Sequence, residues 1–124
     1  MVLEQAQSGW LNTVHVHADP TQTGDTLSLE WFVDYPVDVL SWSDRLTGPS
    51  LSEAMRLTDK CLMGGLHERG PLTQGGEREI EQEMRDAVEQ THGRRLILAN
   101  GCSVPDETPE EWLHLARRLV DQMS

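Results

Sequence analysis

Apolar and polar positions along the chain alternate between two periods, and the switches between them divide it into repeating units. Thr13 to His17 has period two: Val14 and Val16 project to one side and His15 and His17 to the other, as in a strand. Val37 to Trp42 is a second short apolar run, Cys61 to Gly65 a third that ends in glycines, and Leu96 to Ala99 a fourth that breaks at Asn100-Gly101. Between these runs the spacing becomes helical. Leu27, Trp31, Phe32 and Val33 suit a short amphipathic helix, with Trp31 and Trp42 as packing residues and Trp10 packed as well. Ser50 followed by Glu53 is a capping box opening a helix over Leu51–Leu57. Ile80, Met84, Ala87 and Val88 form one stripe of a helix from Glu77 to Thr91, which Gly93 ends. Thr108-Pro109-Glu110-Glu111 opens a last helix running to Val120, with Thr108 and Glu111 as its capping box. Residues 1–10 suit the tail of a helix before the first strand, and residues 20–26 a loop.

The order is therefore βαβαβαβα with short connections, which implies an α/β fold: a parallel sheet with right-handed crossovers and helices on its outside. A full (β/α)₈ barrel takes about 250 residues. The 124 residues present form one half-barrel domain, (βα)₄, over residues 1–124. With Met1 so close to the first strand, no upstream half is expected. Such a half leaves two strand edges and the barrel-lining face uncovered. The economical cure is a homodimer that completes an eight-stranded barrel, with a separate amino-terminal half-barrel protein as the alternative partner.

Composition narrows the partners. A formal charge of −11, from 21 acidic and 10 basic residues, disfavours nucleic acid and anionic membranes. Much of that acidity lies between Glu77 and Glu89 and suits a solvated helix face. No apolar run approaches the roughly 20 residues of a spanning helix, and no signal-peptide pattern opens the chain. Cys61 and Cys102 stand in different contexts and make no disulfide framework. A cytoplasmic protein is expected.

Four segments, in order, carry a family resemblance: TVHVHAD (13–19), VDVLSWSDRLTGPSLSEAMRL (37–57), LMGGLHE (62–68) and NGCSVPDETPEEWLHLARRLV (100–120). Together they resemble the last four strands of the uroporphyrinogen decarboxylase superfamily, which includes zinc-dependent methyltransferases that pass methyl groups between corrinoid proteins and thiols. The resemblance implies a carboxyl-half barrel with chemistry at the carboxyl ends of its strands. It also implies zinc as a cofactor, a corrinoid as substrate carrier, and a metal-ligand set of His15, His17 and Cys102. His17 stands where those methyltransferases carry cysteine.

The residues support that set on their own terms. Two imidazoles on one strand face and a thiolate make three ligands and leave a fourth position open. The plain alternative is polar barrel lining beside an inert cysteine. Asp19, Ser41, Asp44, Arg45 and His67 stand at or just past strand ends and are candidates for substrate binding, with turn or capping roles as the alternative. Arg45 in particular suits a carboxylate or phosphate. Gly64-Gly65 and Gly75-Gly76 lack the features of a phosphate loop. Three functions remain in view: methyl transfer, tetrapyrrole decarboxylation, and a non-catalytic half-barrel.

Overall fold

The structure, a computed structural model, describes residues 9–18 and 27–123. Four strands form one sheet in the order β1-β2-β3-β4: β1 Thr13–His15, β2 Val39–Ser41, β3 Cys61–Leu66 and β4 Leu96–Asn100. Every neighbouring pair is parallel, with His15 opposite Ser41, Ser41 opposite Met63, and Met63 opposite Ile97. Sequential parallel order is what right-handed βα crossovers produce. The expected half-barrel architecture is present. Most of the expected helix tail (residues 1–8), Asp19 and the expected loop over residues 20–26 lie outside the described residues.

The helices form as their caps and stripes dictate, with shorter bounds in places. α1 spans Leu51–Met55, and its capping box is complete: Ser50 Oγ accepts the Glu53 N–H at 3.2 Å, while the Ser50 N–H donates to Glu53 Oε1 at 3.3 Å. A short α2, Pro71–Gln74, has no counterpart in the sequence reading; its period is too brief to register. α3 runs Glu77–Thr91 as expected, and His92 closes it in the left-handed conformation with Gly93 following. α4 covers Glu110–Met123. Ahead of it the Thr108 hydroxyl meets the Thr73 hydroxyl at 3.4 Å rather than the Glu111 amide, so the second capping box is not realised.

Two expectations of packing fail. The apolar spacing near Leu27 produces only a single 3₁₀ turn, Leu29–Trp31, in which Leu29 is buried and Trp31 is 74% exposed. Trp10 is likewise 92% exposed. The single turn that carries Trp31 buries only Leu29. Trp42, by contrast, is fully buried and donates its indole N–H to the Pro49 carbonyl at 2.8 Å.

The core lies on the helical side of the sheet. Leu40, Trp42, Leu51, Ala54, Leu62 and Ala87 form one cluster; Leu66, Leu72, Ile80, Met84, Leu115 and Leu119 form a second. The other face differs. Thr13 and His15 are exposed there, and Met63, Ile97 and Ala99 are only half-buried. Each neighbour in this row follows from the register and the two-residue period of a strand. The face that would line a barrel is thus only partly covered among the described residues: Val39 and Ser41 of β2 are buried in the same rows, while their neighbours on β1, β3 and β4 are exposed or half-buried.

Candidate metal centre

His15 ends β1, and its exposed side is dictated by the alternation that buries Val16. The chain stays against β2 for one further residue, the Val16 N–H donating to Ser41 O at 2.9 Å, before His17 emerges. The two rings meet edge to face with centroids 4.5 Å apart. His15 Nδ1 lies 2.9 Å from Ser41 Oγ in a hydrogen bond, which fixes the ring and leaves Nε2 for another partner. Burial, and after it the neighbouring His17, hold the His15 imidazole below the ordinary histidine range; the Glu68 charge pulls the other way.

Cys102 reaches this pair from the opposite edge of the sheet. The turn after β4 crosses back over the ends of β3 and β2: the Gly101 N–H donates to Leu66 O at 2.9 Å. Gly101 lies so close to the neighbouring backbone that a Cβ there would sit 2.9 Å from Ser43 Cα and 3.2 Å from Trp42 O. Only glycine fits this crossing. Asn100 donates its side-chain amide to the Cys102 carbonyl and holds the turn. One ligand atom each of His15, His17 and Cys102 then lies within 4.8 Å of the others, a group that could hold a metal ion.

The donor set suits a borderline-soft divalent cation such as zinc, with nitrogen and sulfur ligands and room for a fourth. His15, Ser41, Asn100, Gly101, Cys102 and Ser103 line one hollow here. A second, of about 410 Å³, adjoins it and is lined by His17, Ala18, Ser43, Leu46, Glu68, Arg69, Cys102 and Ser103.

The remaining residues singled out in the sequence divide sharply. Ser41 is buried and positions His15. Asp44 is buried and accepts the Gly65 N–H at 3.1 Å; burial pushes its carboxyl up, against that bond and the Arg45 charge. Arg45 turns away from the hollow. It donates to Gly65 O at 2.5 Å, Glu83 O at 2.9 Å and Asp86 Oδ2 at 2.8 Å, so its guanidinium ties β3 to α3 rather than facing a ligand. His67 folds into its own loop, where Nδ1 accepts the Arg69 N–H at 3.0 Å. Asp19 lies outside the described residues. Sequence reasoning passed over Glu68, one position beyond His67, although both stand just past the end of β3. It also passed over the spacing of Glu83 and Asp86 on one helix face, which offers an arginine two acceptors.

A family model described as uroporphyrinogen decarboxylase matches residues 11–123. The chain belongs to the uroporphyrinogen decarboxylase family. Among solved structures, a methyltransferase from Methanosarcina mazei superposes with a TM-score of 0.74 at 20% identity, over 98% of this chain and 34% of that protein. The chain of this uroporphyrinogen decarboxylase family member thus spans about a third of that methyltransferase's length, and the likeness is one of fold. No curated protein matches it. No helix among the described residues is long and apolar enough to cross a membrane.

Proposed function

We propose that this half-barrel serves zinc-dependent transfer of a methyl group from a methyl-corrinoid to a thiol or similar small acceptor. The observation that carries the reading is the convergence of His15, His17 and Cys102 from the two outer strands onto one point. Bound there, zinc would supply a Lewis acid that favours the thiolate form of a thiol acceptor. The chain's own residues do the rest. Ser41 fixes the plane of the His15 ring, and Gly101 lets Cys102 cross the sheet ends. The hollows beside the three ligands admit the acceptor at the open position. A methyl-corrinoid brought to this mouth would supply the methyl group and keep the Co–C bonding pair, and the acceptor thiol would release its proton to solvent as its sulfur takes the methyl carbon.

Tetrapyrrole decarboxylation fits less well. An anionic tetrapyrrole needs several free cations, and with Arg45 engaged by Gly65, Glu83 and Asp86 the hollow beside Cys102 is lined by Arg69 alone among the arginines, in a chain of net charge −11. A second copy completing an eight-stranded barrel is the proposed partner, supported by the half-open row of Thr13, His15, Met63, Ile97 and Ala99; a separate amino-terminal half is the alternative. The test is methyl transfer from methylcobalamin to a small thiol, with light scattering of the same sample. Zinc-dependent transfer that is lost in Cys102→Ala supports the reading. A metal-free dimer without transfer leaves a non-catalytic half-barrel.

A further inference from the structure

Glu68 is only 3% exposed, yet its Oε2 is the one buried side-chain nitrogen or oxygen without a hydrogen-bond partner among the described residues. Buried carboxylate oxygens are almost always paired, because leaving one dry and unpartnered is costly. Its position is specific. A Cβ added at Gly101, the residue before Cys102, would lie 2.8 Å from Oε2. The same carboxylate lines the cavity of about 410 Å³ with His17 and Cys102, and its charge reaches His15. The three donors, two neutral imidazoles and one thiolate, carry a single negative charge. A divalent cation held by them keeps one unit of positive charge in a partly dry site. We propose that Glu68 is the carboxylate that balances this charge, a positioning residue beyond the three donors that raises affinity for a divalent cation.

The inference rests on the metal reading, and a titration separates the failure of one from the failure of the other. Co²⁺ serves as probe, followed by its visible absorption, with melting curves of the metal-free and loaded chain. The wild type binds Co²⁺; Glu68→Gln binds it roughly 10- to 100-fold more weakly. Metal-free Glu68→Gln melts no lower than the wild type, because the Oε2 atom it replaces has no hydrogen-bond partner to lose. Glu68→Asp keeps the charge and retains more affinity than Glu68→Gln, and this comparison holds even if the glutamine variant folds poorly. Equal affinity of Glu68→Gln and wild type overturns the role of Glu68 and leaves the three-residue site standing. A lower melting point of metal-free Glu68→Gln, with Glu68→Asp no better at binding, overturns it in favour of a structural role. Wild-type protein that takes up no Co²⁺ overturns the metal reading and this inference with it.

Discussion

Two buried carboxylates stand past the ends of neighbouring strands, Asp44 after β2 and Glu68 after β3, 5% and 3% exposed. Asp44 belongs to a region where every charge is answered. Its carboxylate takes the Gly65 N–H, Arg45 lies beside it, and Arg45 in turn joins Gly65, Glu83 and Asp86. Glu68 belongs to a region of donors and lone pairs: an oxygen without a partner, two imidazoles and a thiol. Equal burial therefore conceals opposite roles. The first region spends its polar groups on holding β3 against α3, and the second keeps them available.

Substitutions should separate the two. The largest effect is expected in the clamp from Gly65→Ala. Gly65 has a φ of 104°, and a Cβ would lie 2.6 Å from Ala87 Cβ. Strain and overpacking together should cost roughly 3 kcal/mol or more, read by urea denaturation. Arg45→Met strips the clamp of its cation and should cost about 2 kcal/mol, moderated by the partial exposure of the guanidinium.

Gly101→Ala sharpens the contrast from the other side. The crossing has no room for a methyl against Ser43 Cα, so about 1–3 kcal/mol of stability should go. Zn²⁺ affinity, measured by competition with a chromophoric chelator, should fall further than stability does.

A pH series tests the clamp without perturbing its packing. Burial is the main cause raising Asp44 and Glu83 above their ordinary values of 3.8 and 4.5. A group with a raised folded-state pKa contributes stability that is present below its unfolded value and lost as pH climbs through the folded one. The urea midpoint should therefore drop as pH rises from about 4 through the raised values. Asp44→Asn should flatten that drop. Arg45→Met should extend it to higher pH, since the guanidinium restrains both shifts. The smallest effects on folding belong to the mouth: His15→Ala should cost about 1 kcal/mol through the lost bond to buried Ser41, and Cys102→Ala no more than about 0.5 kcal/mol, while each abolishes Zn²⁺ binding.

The parallel βα sheet was legible from periodicity and the half-barrel from periodicity together with the family resemblance, because βα units of this length admit few topologies. Glycine positions were legible in kind: Gly64 and Gly65 do mark close approach, with a Cβ on Gly64 falling 2.6 Å from Asp44 Oδ1. The meeting of His15 with Cys102 came from the family resemblance and not from periodicity, since no pattern tells how far a turn leans over the sheet ends. That distance is set by Gly101 against Ser43 and Trp42, a contact between residues far apart in sequence. Arg45 misled for a similar reason. A cation past a strand end is equally placed for a ligand or for the next helix, and only the orientation of Glu83 and Asp86 on α3 decides it. Trp31 and Trp10 misled because apolar character was taken for burial, whereas both indoles are exposed.

The most direct test is elemental analysis of the chain after Zn²⁺ loading and gel filtration, beside Cys102→Ala treated identically. The account predicts about one zinc per wild-type chain and almost none in the variant. Wild-type protein that emerges without zinc, or a Cys102→Ala chain that keeps as much as the wild type, would contradict it.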